Sequence, residues 1–430
     1  MLAATAAIDF TPEPGHVLQG HGGAPPSRRV LHPLEARAVI FEDGGDRVGI
    51  CTADVIGFMP EMTARVRRRV AEAAGIPADH LLLAASHTHC APAAIHCLGM
   101  VPDPAFLGSL EEAMVTAVAQ ACDRLEPVTL GLGCGSARFN INRRLPPWPD
   151  IPDGQPGGPH PGGVVDRRAR LLRVDRTDAT PLAVLFNFSC HPVTKTGMSG
   201  VVSSDYPGVA RARIEAELGC HALFLPGSFG NIRPATLDPE SGSFANASDD
   251  QLLAFGHELG DAILRALKYT RTLPCDGVAS AISPLVLPFA EIPSREDLQR
   301  MASGDTSALR IEGEYAERLL RMLDEGKVPD REVSEMQALR IGPLVCVAIP
   351  GESVQEIGDA IEKKLAGTIN ADDIWAMGYC NDMVGYLVTE RHKRERGYEP
   401  WAYSYFDRPA QFMNEEAVIV AEAEEVVGKL

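Results

Sequence analysis

The first third of the chain alternates between apolar runs and an amphipathic segment, and this alternation constrains the fold more than any other feature. Residues 47–55 (RVGICTADV) and 80–86 (HLLLAAS) are short apolar runs typical of buried strands. Residues 60–75, between them, have the apolar spacing of a helix. A strand, a helix and a strand in this order predict two parallel strands joined by a right-handed crossover.

The same kind of pattern continues to the end of the chain, without an internal repeat. Further strands are predicted at 127–136, 169–175, 181–190, 221–227, 276–289 and 372–380, with a hairpin over 333–352. Helices are predicted at 103–125, 204–219, 250–267, 294–325 and 353–367, and the acidic tail predicts a closing helix. We therefore expect an α/β fold, a single large domain over residues 1–430 with mixed β-sheets flanked by helices.

A segment rich in Pro and Gly, residues 145–163 (LPPWPDIPDGQPGGPHPGG), interrupts this pattern. Such a composition is incompatible with regular structure. A loop of this length inside a compact chain predicts either a lid over a binding site or a disordered segment.

Composition and charge exclude several classes of partner. The chain has 58 acidic and 40 basic residues and a formal net charge of -18, which disfavours nucleic acids and anionic membranes. No apolar stretch is long enough to span a bilayer, and the N-terminus lacks the basic and apolar regions of a signal peptide. The ten cysteines are scattered singly, as in proteins that keep reduced thiols. We therefore predict a cytoplasmic protein without a membrane span, and the sequence does not indicate its oligomeric state.

Two histidines stand at the end of the predicted strand 80–86, where the chain continues as SHTHC. Residues two apart in a strand point to the same face, so His87 and His89 are expected on one face. In open α/β sheets, ligands bind at the carboxyl ends of strands. The pair suits a metal site, or one metal ligand beside one acid–base group, and the alternative is a hydrogen-bonded structural pair.

Three other predicted strands deliver polar side chains to their ends. LAVLFNFSC leads to His191, PLVCVAIPG leads to Glu352, and IWAMGYCND is followed by Tyr386. Each has an ordinary alternative: the histidine ends a strand, the carboxylate favours a helix N-terminus, and the tyrosine packs in the core. Zinc binds nitrogen and oxygen donors, and the joint placement of the four side chains favours a metal site over these separate readings.

At this point the sequence resembles a known family. The segments SHTHCAP, NFSCHPVT, SSDYPG, GNIRP, IPGE and GYCNDMVGYLVT occur in the order and spacing of the catalytic N-terminal domain of the neutral/alkaline (non-lysosomal) ceramidases. The resemblance covers nearly the whole chain and implies one Zn²⁺ ion. The ligands that it implies are His87, His191, Glu352 and Tyr386. The catalytic side chains that it implies around the metal are His89, Arg143 and Tyr398.

Two departures from the family pattern qualify this expectation. In LFLPGSFGNIRP, the position that the resemblance assigns to the family's catalytic serine is Gly227, and Ser228 follows it. We therefore expect a water molecule as nucleophile, with the main-chain NH groups of Gly227 and Ser228 binding substrate. Family members also carry a C-terminal domain and are mostly secreted or membrane-anchored. This sequence ends just past the catalytic region and has no secretion signal, so we expect a short intracellular relative.

The expected function is that of a zinc-dependent hydrolase. It would cleave an amide, or an ester or lactone, of a small polar acyl substrate through a metal-activated water. His89 is expected to transfer a proton or stabilise the tetrahedral oxygen, Arg143 to supply fixed positive charge, and Tyr398 to donate to the oxyanion. Arg143 has a surface arginine as its alternative. The alternative functions are true ceramide (N-acyl-sphingosine) hydrolysis and a non-catalytic metal-binding ligand sensor.

Overall fold

The computed structural model describes residues 1–145, 157–303 and 311–430. Most of the predicted Pro- and Gly-rich loop, including Trp148, lies outside the described residues. The lid prediction therefore stays a prediction.

Eight strands form the larger sheet, in the order β11-β9-β8-β6-β1-β3-β4-β5. Their bounds are β1 (Leu2–Asp9), β3 (Glu35–Asp43), β4 (Asp46–Ala53), β5 (Leu81–Ala85), β6 (Glu126–Ser136), β8 (Arg168–Arg176), β9 (Pro181–Phe188) and β11 (His221–Pro226). The predicted parallel pair is confirmed: β4 and β5 are parallel neighbours, with Gly49 opposite Leu81. A second parallel pair, β9 and β11, forms the other edge.

A smaller sheet has the order β13-β14-β15-β17. Its strands are β13 (Val278–Pro288), β14 (Arg331–Ile341), β15 (Leu344–Ala348) and β17 (Asp373–Met377). The hairpin predicted at 333–352 is β14 and β15, which turn at Gly342 with a positive φ of 51°. Three two-stranded pairs complete the strands: β2 (Arg29–Val30) with β10 (Val201–Val202), β7 (Asn140–Asn142) with β12 (Ile232–Pro234), and β16 (Glu352–Ser353) with β18 (Tyr386–Leu387).

The helices lie on the outer faces of the two sheets. On the larger sheet these are α1 (Pro60–Ala74), α2 (Pro104–Cys122), α3 (Asp205–Leu218) and α4 (Asp249–Leu267). On the smaller sheet they are α7 (Gln355–Leu365) and α10 (Glu415–Val427). The remaining described helices are α5 (Arg295–Ala302), α6 (Ile311–Asp324), α8 (Glu390–Glu395) and α9 (Tyr398–Trp401). Predicted helix 294–325 is thus two helices, α5 and α6.

Alternating residues along the strands separate two apolar layers. On β9, Phe186 packs in the layer beneath the helices, whereas Leu185 packs between the two sheets. On β15, Cys346 packs in the same apolar layer between the two sheets. This alternation is the expected consequence of the two-residue period of a strand. The expected fold, mixed sheets flanked by helices, is confirmed as a four-layer helix–sheet–sheet–helix arrangement.

The strand directions explain how distant ends come together. Along the larger sheet β5 and β9 run in opposite directions, because an odd number of antiparallel pairings separates them. A sheet twists by about 20–25° per strand, so the twist between β5 and β9 accumulates to more than about 120°. The edge strands β5 and β11 consequently contact one another. The carboxyl ends of β5, β9 and β11 therefore meet on one side of the molecule.

Two central strands are missing from the sequence-based prediction. β1 and β3 lie in the middle of the larger sheet and pair over their whole lengths, from Leu2 opposite Glu42 to Asp9 opposite Glu35. β1 is rich in Ala, which has a weak strand preference. Its burial between other layers, rather than its own propensity, makes it a strand.

Candidate active site

Five strand ends from both sheets surround one small volume. The residues that follow these ends are His87 after β5, His191 after β9, Gly227 after β11, Glu352 after β15 and Tyr379 after β17. Main-chain hydrogen bonds join the ends directly, from Ala85 N to the carbonyl of Tyr379 and from Gly378 N to the carbonyl of Gly227. The site expected at the carboxyl ends of strands therefore draws on both sheets.

His87 lies just beyond β5 and does not continue it. β5 ends at Ala85, and His87 has a left-handed φ of 66°. The strand-alternation argument for placing His87 and His89 on one face was therefore wrong, although a turn brings their rings to 4.9 Å between centroids. His87 is fully buried, and its Nδ1 lies 2.5 Å from the carbonyl oxygen of Ile56. That contact requires Nδ1–H to donate, so in the neutral ring Nε2 carries the lone pair.

His191 is oriented in the same manner. Its Nδ1 lies 2.7 Å from the carbonyl oxygen of Phe229 and 3.1 Å from that of Ile232. Both oxygens accept, so in the neutral ring Nε2 again carries the lone pair. Burial is the first cause that lowers the pKa of His191, to about 4, so the neutral ring is the form present at pH 7. Histidine ligands of metals are held by this kind of second hydrogen bond to a carbonyl.

Glu352 brings a carboxylate between these two nitrogens. Its Oε2 lies 3.1 Å from His191 Nε2 and 3.3 Å from His87 Nε2. Burial favours the neutral acid, but the neighbouring His87 and His191 hold the pKa of Glu352 well below its ordinary value. With both rings neutral, two lone pairs and an ionised oxygen converge without a donor hydrogen. Only a cation or an extra proton satisfies that arrangement, and zinc accepts this set of nitrogen and oxygen donors.

Tyr386 reaches the site through strand pairing. β16 and β18 are parallel, and Glu352 lies directly opposite Tyr386 in their register. The Tyr386 hydroxyl accepts a hydrogen bond of 3.0 Å from Arg143 Nη2. Burial raises the pKa of this phenol well above its ordinary value, so the neutral form is present without a cation.

His89 adds a third imidazole to the cluster. Its Nε2 lies 3.2 Å from His87 Nε2, and its Nδ1 is buried without a hydrogen-bond partner among the described residues. Within those residues, ligand atoms of His87, His89 and His191 lie within 4.8 Å of one another. Burial, followed by the neighbouring histidines, lowers the pKa of His89 well below its ordinary value. The geometry therefore brings His89 close enough to serve either as a third nitrogen donor or as a neutral base.

Arg143 is a buried, fully constrained cation rather than a surface residue. Its Nε donates to Glu399 Oε1 at 2.8 Å, and its Nη2 donates to the Gly230 carbonyl at 2.6 Å as well as to Tyr386. Arg144 pairs with the second oxygen of Glu399. Burial opposes ionisation of Glu399, but Arg143 and Arg144 lower its pKa to about 2. The sequence-based alternative of a surface arginine is wrong.

Tyr398 lies beside this arginine. Its ring centroid is 5.5 Å from that of Tyr386, and the guanidinium carbon of Arg143 is 5.4 Å from the Tyr398 ring centroid. Burial raises the pKa of the Tyr398 hydroxyl. Tyr398 is therefore a neutral phenol at neutral pH and retains a hydroxyl hydrogen to donate.

Gly227 and Ser228 have protein partners for their polar groups, and Ser228 contacts Ser353, the residue that follows Glu352. The Gly227 amide donates to the Phe188 carbonyl at 3.2 Å, so this NH group is not free for a substrate. The Ser228 hydroxyl accepts a hydrogen bond of 2.9 Å from Ser353 Oγ. A Cβ on Gly227 would overlap with the Ser189 hydroxyl, which explains the glycine by close packing. The expected role of the Gly227 amide in substrate binding is therefore wrong.

Three residues near the cluster were not identified from the sequence. The His21 ring lies 5.5 Å from the His89 ring, the Tyr379 ring lies 4.3 Å from the His87 ring, and Arg233 follows Ile232 on β12. The segment QGHGG was the available signal for His21, because glycines permit close approach: a Cβ on Gly20 would overlap with the His89 ring. For Arg233, its place inside GNIRP was the only signal.

The fold and this cluster define a layered α/β protein with a candidate metal centre at its strand ends. Residues 27–230 match the family model for the neutral/alkaline non-lysosomal ceramidase, N-terminal. The neutral ceramidase of Mycobacterium tuberculosis is 23% identical over 462 residues, which cover 88% of this chain and 70% of that protein. The sequence resemblance to the neutral/alkaline ceramidases is thereby confirmed.

Solved structures agree in fold. The neutral ceramidase of Pseudomonas aeruginosa superposes with a TM-score of 0.72 at 18% sequence identity, covering 99% of this chain and 75% of that one. A structure described as ceramidase complexed with C2 has the same TM-score and identity and is covered to 74%. The family match at 27–230 includes His87, His89, Arg143 and His191 but ends before Glu352 and Tyr386. Among the described residues, no helix combines the length and apolar character needed to cross a membrane.

Proposed function

We propose that the chain is a zinc-dependent hydrolase that cleaves the amide bond, or an ester or lactone bond, of a small polar acyl compound. One observation carries the proposal: Glu352 Oε2 lies 3.1 Å from His191 Nε2 and 3.3 Å from His87 Nε2, while the Nδ1 of each ring is hydrogen-bonded to a main-chain carbonyl. Zinc bound by these donors would supply Lewis-acid activation of water and of the acyl oxygen. Tyr386 is the proposed fourth ligand, since it lies opposite Glu352 in the β16–β18 pair.

The surrounding side chains have complementary tasks in this proposal. His89, neutral at physiological pH and with a free Nδ1 among the described contacts, takes the proton of the attacking water and returns it to the leaving amine. Arg143, held at three points, keeps a positive charge beside the reacting carbonyl without reorganising. Tyr398 donates its hydroxyl hydrogen to the developing oxyanion.

Gly227 does not provide a nucleophile, so no acyl-enzyme is part of the proposal. The Gly227 amide donates to the Phe188 carbonyl and the Ser228 oxygen accepts a hydrogen bond from Ser353, and these contacts within the fold support the proposal. Hydrolysis then proceeds in one displacement: the water oxygen bonds to the acyl carbon, the carbon–nitrogen bond breaks, and the amine leaves with a proton from His89.

Ceramide hydrolysis is the second candidate, and it is favoured by the similar proteins from Mycobacterium tuberculosis and Pseudomonas aeruginosa, which are both described as neutral ceramidases. A non-catalytic metal-binding sensor is the third, motivated by Gly227 at the position expected for a serine. We also propose that residues 1–430 act as one catalytic unit and that the protein is cytoplasmic. All ten cysteines are free thiols in the structure, which supports a reducing compartment.

The test combines metal analysis with an activity screen. Purified protein is measured for zinc by mass spectrometry and assayed on N-acyl amines, N-acyl-sphingosine, esters and lactones, with His191→Ala in parallel. Zinc near one equivalent and turnover of a polar acyl compound, both lost in His191→Ala, are the expected results. Turnover confined to N-acyl-sphingosine would support the ceramidase alternative. Zinc without turnover would support the sensor, and full activity of His191→Ala would overturn the zinc proposal.

A further inference from the structure

Among the described residues, Arg233 has no acidic partner, although it is a cation beside the candidate active site. It lies in β12, directly opposite Ile141 of β7. Arg143 follows Ile141 by two positions along the chain. No ion pair of the described residues includes its guanidinium, and its buried Nε has no hydrogen-bond partner among those residues. The contact that the structure does provide is the Phe244 ring, whose centroid lies 4.2 Å from the guanidinium carbon.

The other arginines of this region are paired. Arg143 and Arg144 share the carboxylate of Glu399, and the buried Arg211 is paired with Asp54. Leaving a partly buried guanidinium without a counterion is costly, because burial removes water from a full charge. A stacked aromatic ring returns only a part of that cost. Arg233 therefore differs from its neighbours in being available for a negative charge that comes from outside the fold.

Arg233 directly follows Ile232, whose carbonyl oxygen lies 3.1 Å from His191 Nδ1, so the main chain of Arg233 lies next to the cluster. Burial, then the charges of Arg233 and Arg143, lower the pKa of His21 to about 4. The His21 ring in turn lies 5.5 Å from the His89 ring. Burial and the charge of Arg143 lower the pKa of Arg233 to about 10, so Arg233 remains a cation at neutral pH. Two guanidinium groups thus act on the same neutral histidine, next to His89.

We propose that Arg233, stacked on Phe244, binds an anionic oxygen group of the substrate, so that the compound hydrolysed is an acyl compound bearing a carboxylate or a phosphate. Three hydrogen bonds hold Arg143 to Glu399, Gly230 and Tyr386, whereas the buried Nε of Arg233 has no hydrogen-bond partner among the described residues. A guanidinium matches the geometry of both anions. This inference rests on the proposed hydrolase function and deepens it, and it separates the chain from enzymes whose substrate is an uncharged acylated amino alcohol.

Matched substrate pairs test the inference. Glutaric acid mono-p-nitroanilide and valeric acid p-nitroanilide have the same acyl length and differ in a terminal carboxylate. N-valerylglycine and N-valerylglycinamide differ in the same way on the amine side. We expect wild-type kcat/KM to favour the anionic member of at least one pair by about tenfold or more, with a preference that falls as salt screens the charges.

Substitution of Arg233 identifies the cause of that preference. Arg233→Gln is expected to abolish the preference through a higher KM for the anionic substrate, with kcat/KM for the neutral member within about threefold of wild type, and Arg233→Lys should restore part of it. The control is Arg68→Gln, on the exposed face of α1, which should leave both members unchanged. Equal use of both members by the wild type, or an equal loss on both in Arg233→Gln, would overturn the inference.

A binding experiment separates this inference from the hydrolase proposal. Wild type and Arg233→Gln are titrated calorimetrically with glutarate and, separately, with inorganic phosphate. Binding to wild type that weakens at least tenfold in Arg233→Gln supports the anion site even if no acyl compound is hydrolysed, and the relative affinities distinguish carboxylate from phosphate. If neither anion binds the wild type and no anionic substrate is preferred, the anion site is refuted.

Discussion

The Oε2 atom of Glu352 lies 3.1 Å from Nε2 of His191 and 3.3 Å from Nε2 of His87, so one carboxylate oxygen faces two imidazole nitrogens. The other nitrogen of each ring is engaged by a main-chain carbonyl, of Phe229 and Ile56 respectively. The rings therefore cannot rotate to relieve the contact without losing these hydrogen bonds. The strands and turns around the cluster therefore fix these three side chains in place.

Removal of one donor should release the metal. We expect Glu352→Gln and His191→Ala each to lower the zinc retained after dialysis by at least about tenfold, because each change removes one of the converging donors. Zinc is measured by mass spectrometry on the purified proteins. His257→Ala, on the exposed side of α4, is the control and should keep the wild-type zinc content. One equivalent of zinc in both variants would show that the ion is held elsewhere.

Substitution of His89 should lower activity without releasing the metal. We expect His89→Gln to keep zinc within about twofold of wild type but to lower kcat by about 10²–10⁴, the usual contribution of a proton-transfer group. Zinc content and kcat are measured on the same preparation. Loss of zinc together with activity would instead assign His89 as the third nitrogen ligand, which its 3.2 Å distance to His87 Nε2 also permits.

Glu399 should make the stability of the protein pH-dependent. Its pKa is about 2 in the folded protein, below the ordinary value of 4.5, so its contribution is complete above pH 4.5 and is lost as pH falls toward 2. At pH 7 we expect Glu399→Gln to lower the free energy of unfolding by about 3–5 kcal/mol, since two buried arginines lose their partner. The difference from wild type should shrink by roughly 1 kcal/mol per pH unit below 4.5.

Denaturant unfolding between pH 7 and pH 3 measures this difference. Asp324→Asn removes an exposed ion pair with Arg295 and serves as the control, with an expected change below about 1 kcal/mol at every pH. A constant difference between wild type and Glu399→Gln across this range would mean that Glu399 is not ionised between the two arginines.

Gly227 should not tolerate the serine that the family resemblance predicts there. A Cβ at Gly227 would overlap with Ser189 Oγ and lie 3.2 Å from Ser189 Cα, so Gly227→Ser is expected to destabilise the protein by about 1–3 kcal/mol and to leave kcat no higher. Thermal unfolding and the acyl assay measure both effects. Combining Gly227→Ser with Ser189→Gly should recover most of the lost stability. A faster enzyme from Gly227→Ser alone would contradict the proposed role of water as nucleophile.

The sequence by itself determined which segments are strands and helices over most of the chain, and which residues end the strands. Apolar periodicity is a local property, so β5 or α3 can be identified without knowing their neighbours. The same holds for His87, His191 and Glu352, each at the end of an apolar run. The Ala-rich β1 was not predicted from the sequence, because its strand conformation depends on burial between other layers.

Only the tertiary structure decided how these strand ends meet and which polar groups remain free. The twist of the larger sheet brings the ends of the opposed strands β5 and β9 to one side, and no local pattern contains that sum of small rotations. The pairing of Arg143 with Glu399, and the lack of a carboxylate beside Arg233 among the described residues, both depend on residues far apart in sequence. The residue types at the strand ends could therefore be identified from the sequence. The distances between them and the pairing of their charges are set only by the packed fold.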